Sequence, residues 1–233
     1  MEASGQTRPF GLVAGLGMGA GIFYYKALVD ACLARGLTLR LLMVHADVGY
    51  VISRAAARAT QELAEYLASL LQQLVDGGAE IAAIPAFTPM VCAAELAPIS
   101  PLPLISLLDA ITAEIERRRF HRVALFGGRV TIETRMFGCL GATEVILPAP
   151  EEMDTIAAIY TRVVEAGRAS DEDFSRLRSL AHTLIERERL DGIVLAGTDL
   201  AFVFNPGNTD FPLIDGARVH IDTILQEIGP TGS

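Results

Sequence analysis

The stretch L-D-G-I-V-L-A-G-T-D-L, residues 190–200, predicts a short buried strand and the turn that follows it. Within it, Ile193–Leu195 is an uninterrupted apolar run, as is typical of a parallel strand that is buried on both faces. Small residues break the run, and Asp199 can cap a helix that follows. Because open parallel sheets bind ligands at the carboxyl ends of their strands, we expect this turn to line a ligand site.

A second strand end of the same kind lies upstream. Ile81–Ile84 is apolar and is followed by the turn Pro85–Thr88. The two strand ends lie about half a chain apart. They predict two pseudo-symmetric α/β half-domains that face one ligand cleft.

The composition is that of a globular protein. The 233 residues are 51% hydrophobic and 20% charged, which provides enough apolar material for a sizeable core. A net charge of −9 argues against nucleic acid or an anionic membrane surface as a partner. Three widely spaced cysteines form no disulfide framework and predict a cytoplasmic location.

The N-terminal stretch Phe10–Tyr25 is apolar and follows Arg8, as in the core of a secretion signal. However, glycines alternate through it, and it is shorter than the ~20 residues that span a bilayer. We therefore predict a first strand and a glycine loop, with no membrane segment.

Strands and helices alternate along the chain, which predicts parallel sheets with right-handed crossovers. The predicted strands are Phe10–Ala14, Leu39–Val44, Ile81–Ile84, Leu104–Ile105, Val123–Phe126, Glu144–Leu147, Ile193–Leu195 and Pro212–Ile214. The predicted helices are Ile22–Arg35, Ile52–Val75, Met90–Leu96, Leu107–Arg117, Thr131–Leu140, Glu151–Glu165, Asp171–Arg187 and Val219–Ile228. We expect residues 1–105 and 210–233 to form one half-domain, and residues 106–209 to form the other.

Four stretches in order along the chain carry a family resemblance. They are GLGMGAGIFYYKAL at Gly15–Leu28, VALFGGRVTIETRMF at Val123–Phe137, LDGIVLAGTDL at Leu190–Leu200, and FPLIDGARVHIDTIL at Phe211–Leu225. Together they resemble the aspartate/glutamate racemase superfamily, which includes hydantoin racemases, arylmalonate decarboxylase and maleate isomerase. The resemblance implies a small carboxylate as substrate, no cofactor and a homodimer. It also implies proton removal beside a carboxylate by two cysteine thiols on opposite faces.

The chain departs from the family pattern at both thiol positions. In the register of the resemblance, Ala86 and Gly197 stand where the family has cysteine, and Phe87 replaces an asparagine that helps to hold the substrate. Thr88 and Thr198 are kept. Neither alanine nor glycine can carry a proton, so a two-thiol mechanism is not open to this chain in that register.

The other cysteines near these turns do not restore a thiol. Cys92 and Cys139 lie on predicted helices, and displacing a base by a helical turn ruins the geometry that a proton transfer needs. We expect both to act as small buried apolar residues.

Other side chains are candidates for the chemistry. Asp199 can act as a helix cap or as a base at the strand end. His45, Asp47 and Tyr50 follow the second strand, where a histidine beside a carboxylate can titrate near neutrality or form ordinary loop hydrogen bonds. Our candidate catalytic residues are Asp199, His45 and Tyr50.

Several residues can hold an anionic substrate. Threonine hydroxyls with nearby backbone N–H groups can bind a carboxylate or cap a helix, and Arg129 can bind one bidentately or stay in solvent. The candidate substrate-binding residues are Gly17, Ala86, Phe87, Thr88, Arg129, Thr131, Gly197 and Thr198. No metal site is predicted, because His45 and Asp47 supply only two ligands.

Three functions remain open. The first is an enzyme of this superfamily with altered, non-thiol chemistry of the isomerase or lyase type. The second is a carboxylate-binding homologue without catalysis. The third is a dinucleotide-binding protein, because Gly15-x-Gly17-x-x-Ala20 fits the glycine fingerprint G-x-G-x-x-G/A. That fingerprint also has an acidic residue ~20 positions after the glycines, whereas Asp47 lies ~30 positions after them.

Overall fold

The computed structural model describes residues 5–229 and divides them into two compact units. The first unit consists of the described residues up to Leu107 and from His220 onward, and the second is Leu108–Val219. Each unit contains a parallel sheet. The predicted α/β class with two parallel-sheet regions is therefore confirmed. The predicted half-domains also include residues 1–4 and 230–233, which lie outside the described residues.

The first unit is built on a three-stranded parallel sheet of order β2-β1-β3. Its strands are β1 (Phe10–Ala14), β2 (Leu41–His45) and β3 (Ile81–Ala83). Its helices are α1 (Met18–Ala34), α2 (Val48–Ala56), α3 (Thr60–Asp76), a 3-10 helix (Thr88–Cys92) and α4 (Ala93–Leu96).

Helix α3 supplies much of the core of the first unit. Its apolar side chains recur at helical spacing and are buried, as the amphipathic pattern predicts. They are Leu63, Leu67, Leu70, Leu71 and Leu74. A Cβ at Gly11 would lie 2.8 Å from Cδ1 of Leu74, so the helix packs closely on β1 because Gly11 has no side chain.

The second unit is built on a four-stranded parallel sheet of order β5-β4-β6-β7. Its strands are β4 (Arg122–Gly127), β5 (Glu144–Val145), β6 (Gly192–Ala196) and β7 (Leu213–Asp215). The helices of this part of the chain are α5 (Leu107–Arg118), α6 (Arg129–Glu133), a 3-10 helix (Met136–Gly138), α7 (Pro150–Ala166), α8 (Asp171–Glu188), a 3-10 helix (Thr198–Phe202) and α9 (Gly216–Glu227).

Strand β6 is the most deeply buried strand of this sheet. All five of its residues are buried, and it pairs with β4 on one side and β7 on the other. Burying each aliphatic side chain contributes about 1.5–3 kcal/mol. The apolar run Ile193–Leu195 therefore lies at the centre of the second unit, as predicted.

The predicted long helix over residues 52–75 is wrong, because the chain forms α2 and α3 there. Arg58 lies between them with φ of 55°, in the left-handed region that ends an α-helix. The apolar pattern that suggested one helix belongs to α3 alone, since Val51 is the buried residue of α2.

Other element boundaries also differ from the prediction. Helix α1 begins at Met18, so the second half of the glycine loop is helical. The predicted strand at Leu104–Ile105 is only an isolated bridge between Ala82 and Leu104.

The predicted helix over residues 131–140 is interrupted, because Arg135, Met136 and Phe137 have φ values of 49°, 55° and 59°. The expected division of the chain also changes near its end. Strand β7 pairs with β6, so residues 210–219 lie in the second unit rather than in the first.

None of the helices described for residues 5–229 combines the length and the apolar character needed to cross a membrane.

Candidate functional site

The carboxyl ends of β4 and β6 lie side by side in the second unit. Gly127 is the register partner of Ala196, so the loops that follow the two strands start together. A Cβ at Gly127 would lie 3.3 Å from the amide nitrogen of Gly197 and would overlap the carbonyl group of Ala196. Glycine at position 127 thus allows the two strand ends to approach.

Three polar side chains are buried in the short helices that follow these strands, Thr131 in α6 and the other two in the 3-10 helix Thr198–Phe202. Thr131 is 4% exposed, and Thr198 and Asp199 are each 2% exposed. We define the β4–β6 site as Gly128, Thr131, Tyr160, Gly197, Thr198 and Asp199.

The ring of Tyr160 lies against both loops. A Cβ at Gly197 would lie 2.9 Å from Cζ and 3.0 Å from Cδ2 of Tyr160, closer than real side chains pack. A Cβ at Gly128 would lie 3.5 Å from Cε1 on the other edge of the ring, which is ordinary van der Waals contact. The ring therefore occupies the space that a side chain at position 197 would need.

Helix α7 places Tyr160 in this position. The helix starts at Pro150, and the Glu152 side chain accepts a hydrogen bond from the Ala149 amide at 2.9 Å, which fixes the first turn. Met153 and Ile156 are buried, and Tyr160 follows them at helical spacing on the same face.

Tyr160 and Asp199 influence each other electrostatically. Burial raises the pKa of the Tyr160 phenol, and the negative charge of Asp199 raises this pKa further. Tyr160 is therefore a neutral hydrogen-bond donor at physiological pH. The end of β6 thus carries the buried Asp199 carboxylate, and a phenol from α7 that can donate a hydrogen bond covers Gly197 there.

Arg129 already has acidic partners. Its guanidinium donates to the Asp154 carboxylate, and it also donates to Oε1 of Glu133 at 3.3 Å. The Arg129 side chain is exposed. The hydrogen bond to Asp154 is the main reason that the pKa of Arg129 is raised. Binding a substrate carboxylate would require Arg129 to exchange these partners, so its predicted role remains a prediction.

The candidates in the first unit lie at the end of β2 and are exposed. His45 packs against Gly15, whose φ of 89° suits a residue without a side chain. His45 also borders a shallow groove of about 320 Å³ that is mostly apolar. The groove is lined by Ala14, Gly15, Gly21, Ile22, Tyr25, Met43 and His45.

Asp47 and Tyr50 have local structural partners. Oδ1 of Asp47 accepts the Tyr50 amide at 3.0 Å and so caps α2. The centroids of the Tyr50 and Tyr66 rings lie 4.7 Å apart, and the guanidinium of Arg54 lies over the Tyr50 ring. His45, Asp47 and Tyr50 thus follow one strand, as predicted, but their side chains are exposed.

The turn after β3 is mainly apolar. Ala86 and Phe87 are 5% and 3% exposed, whereas Thr88 is exposed at the start of a 3-10 helix. Gly17 is buried and precedes α1 in an extended conformation. Their predicted roles in substrate binding are not tested by this geometry.

The three cysteines do not resemble activated thiols. Cys92 is fully buried, its thiol donates to the Pro89 carbonyl at 3.1 Å, and burial raises its pKa to about 12. Burial also raises the pKa of Cys32 and Cys139. All three thiols therefore stay protonated, and the thiolate is the reactive form.

In the part of the chain that the structure describes, no three His, Cys, Asp or Glu side chains form a group that could hold a metal ion.

Sequence reasoning missed Tyr160, which lies 37 positions before Gly197 in the printed sequence. Its helical pattern is that of an ordinary packing residue. The one available signal was Gly197, because the register of the resemblance has a cysteine there. Another side chain must fill the space that the cysteine would occupy.

The fold and the position of the polar residues define an α/β protein with a candidate ligand site at parallel strand ends. The model of the Asp/Glu/Hydantoin racemase family matches residues 13–224, so the chain belongs to this family. The resemblance seen in the sequence is thereby confirmed. A search of the curated proteins gives no match.

Solved structures with the same fold include an aspartate racemase homologue from Pyrococcus horikoshii OT3. It is 20% identical at a TM-score of 0.79, covering 94% of this chain and 98% of that one. An aspartate racemase from Picrophilus torridus is 14% identical at a TM-score of 0.72, covering 94% and 93%.

The same fold occurs in proteins that are named for other reactions. The maleate isomerase Iso from Pseudomonas putida S16 is 14% identical at a TM-score of 0.57, covering 95% of this chain and 92% of that one. An arylmalonate decarboxylase is 13% identical at a TM-score of 0.53, covering 95% and 93%. These likenesses show the fold and leave the reaction open.

Proposed function

We propose that this chain is a cofactor-independent enzyme that moves a proton at the carbon beside a carboxylate of a small substrate, without using a thiol. The observation that carries the proposal is the buried Asp199 carboxylate at the end of β6, two residues after the glycine that the Tyr160 ring covers. A buried carboxylate is costly to keep in a folded protein, so a functional role is a reason to retain it.

Asp199 is the proposed base. A proton beside a carboxylate is removed by a group within hydrogen-bond reach in a site that excludes bulk water. Thr131 and Thr198 would bind the substrate carboxylate through their hydroxyls, which are buried in the two short helices that follow β4 and β6. His45 and Tyr50 remain candidates for a second proton carrier, with weaker support because they are exposed.

The proposal excludes thiol chemistry for two reasons. The positions that align with the family cysteines are Ala86 and Gly197 in our register. The three cysteines that the chain does have are all held in the protonated form by burial. The reaction would therefore be an isomerisation or a lyase-type cleavage that uses oxygen acids and bases.

The two alternatives predict different behaviour. A carboxylate-binding homologue would bind dicarboxylates without changing them. A dinucleotide-binding protein would be stabilised by NAD(P), but Asp47, the acid of that fingerprint, already caps α2. Family membership also favours the carboxylate.

We also propose that the enzyme is a cytoplasmic homodimer. Free cysteines suit a reducing compartment. Helix α1 and strand β2 expose apolar side chains, namely Ile22, Tyr25, Leu33 and Met43. Ile22, Tyr25 and Met43 line one groove, which suits a second copy of the chain. Ile22→Glu should therefore shift the sedimentation of a dimer towards that of a monomer.

The test of the proposed function is incubation with a panel of amino and hydroxy dicarboxylates in deuterium oxide, read by proton NMR. Loss of the α-proton signal of any member, or a new product, is expected. Binding without exchange or product across the panel would favour the non-catalytic homologue. Stabilisation by NAD(P) alone would favour the dinucleotide alternative.

A further inference from the structure

The ring of Tyr160 occupies the space beside Gly197. A Cβ at position 197 would lie 2.9 Å from Cζ of Tyr160, the carbon that bears the hydroxyl. The phenol oxygen is bonded to Cζ, and the γ atom of a side chain at position 197 would be bonded to Cβ. The phenol oxygen and that γ atom would thus lie in the same small region. The hydroxyl therefore lies in the immediate surroundings that a longer side chain at position 197 would reach.

The Tyr160 hydroxyl is free to bind a ligand. Tyr160 is half-buried, and no hydrogen bond joins its hydroxyl to any residue that the structure describes. The hydroxyl is not one of the fully buried polar atoms that lack a partner, so water can reach it. A hydroxyl that water can reach, and that no protein group engages, can donate a hydrogen bond to a ligand. A donor without a protein partner, on a ring that lies against Gly128 and Gly197, is suited to a bound substrate.

We propose that Tyr160 is a substrate-contacting residue that replaces a side chain at position 197, and that its hydroxyl donates a hydrogen bond to a carboxylate oxygen of the substrate. This inference rests on the proposed function. When Asp199 takes the proton from the neighbouring carbon, that C–H bond breaks and negative charge moves onto the carboxylate oxygens. The hydrogen bond from Tyr160 strengthens at that moment, and Tyr160 itself gives up no proton.

The experiment compares the unmodified protein with Tyr160→Phe, which keeps the ring and removes only the hydroxyl. Thr161→Val is the matched control, since it removes the next hydroxyl along α7, which is exposed and bonded to the Ala157 carbonyl. Two readouts are used for each protein: α-proton exchange in deuterium oxide, and calorimetric binding of the dicarboxylates in the panel.

Tyr160→Phe is expected to lower exchange and to weaken binding by roughly tenfold to a hundredfold, as for a hydrogen bond to a charged group. Thr161→Val should match the unmodified protein in both readouts. The melting temperature of Tyr160→Phe should also be unchanged, because its hydroxyl has no partner in the protein. A lower melting temperature would overturn the inference by showing that the hydroxyl serves the fold.

The outcomes separate this inference from the proposed function. If the unmodified protein binds a dicarboxylate without exchanging its proton, and Tyr160→Phe weakens that binding, the proposed function fails and the role of Tyr160 in binding stands. If exchange occurs and Tyr160→Phe leaves it unchanged, the proposed function stands and the inference is overturned. If the unmodified protein binds no member of the panel, both are overturned.

Discussion

The turn after β3 in the first unit buries the apolar residues Ala86 and Phe87, whereas the turn after β6 in the second unit buries Thr198 and Asp199. Both turns follow a parallel strand and lead into a 3-10 helix. The same local architecture therefore surrounds apolar side chains in one unit and a carboxylate in the other.

This difference suggests where chemistry is concentrated. Burying a carboxylate costs free energy, whereas buried apolar residues stabilise a fold, so the second turn retains a costly group that a reaction can use. The polar candidates of the first unit, His45 and Tyr50, are exposed to solvent. We therefore expect variants of the second unit to affect the reaction and variants of the first to affect it less.

The largest expected effect is that of Asp199→Asn. Loss of a general base should slow α-proton exchange by roughly a hundredfold to ten-thousandfold. His45→Gln in the first unit should lower the rate less than Asp199→Asn does, because His45 is exposed. Proton NMR in deuterium oxide measures both, with circular dichroism as a check on folding. A larger loss in His45→Gln than in Asp199→Asn would reverse the comparison.

A stability effect should distinguish the two glycines that touch Tyr160. Gly197→Ala should lower the free energy of unfolding by about 1–3 kcal/mol, because the new methyl group meets the ring. Gly128→Ala is the matched control and should be nearly neutral, because its Cβ would lie 3.5 Å from the ring. Urea denaturation measures both. Equal stabilities would mean that the ring does not fill the space beside residue 197.

The first unit should reveal its buried histidine through the pH dependence of stability. His220 is fully buried, its Nε2 lies 2.9 Å from the Ile105 carbonyl oxygen and its Nδ1 lies 3.1 Å from the Tyr24 hydroxyl. Burial lowers the pKa of His220 to about 4, from 6.5 in the unfolded chain. The unfolded state therefore binds the extra proton first as the pH falls.

The contribution of His220 to stability is complete above about pH 6.5 and is lost as the pH falls towards about 4. Between pH 7.5 and pH 5, this group alone should reduce the free energy of unfolding by about 2 kcal/mol. His220→Asn should be less stable at neutral pH and should lack this part of the slope in urea denaturation. An unchanged slope would show that another group titrates.

The smallest effect compares the two threonines that follow the strands. Thr198→Val should weaken dicarboxylate binding about tenfold, as expected when a hydroxyl that bonds a charged group is removed. Thr88→Val should weaken binding less, because Thr88 is exposed. Isothermal calorimetry measures both affinities. A larger effect of Thr88→Val would indicate that the substrate carboxylate binds at the first unit instead.

Apolar patterns predicted where the strands of both sheets lie, together with one strand that does not form. Phe10–Ala14 is the first strand, as predicted, and the run Ile193–Leu195 lies inside β6. The break between α2 and α3 could not be read from hydrophobicity, because it depends on the left-handed conformation of Arg58. Likewise, Leu104–Ile105 has strand-like residues but pairs at only one bridge.

The candidate site was predictable only in part. Thr198 and Asp199 were found because they follow a buried apolar run in sequence. Tyr160 was not, because its contact with Gly197 joins a helix to a distant strand end. Such contacts depend on how α7 packs against β4 and against the 3-10 helix after β6, and a single sequence carries no local signal of that packing.

The most direct test of thiol-free chemistry uses the variant Cys32→Ala/Cys92→Ala/Cys139→Ala, which has no cysteine left. Its α-proton exchange in deuterium oxide is compared with that of the unmodified protein on the same dicarboxylate. We expect measurable exchange in both, at rates within about twofold of each other, because none of the three thiols takes part. Exchange that falls to the buffer background in a folded triple variant would contradict this account and return the reaction to a thiol.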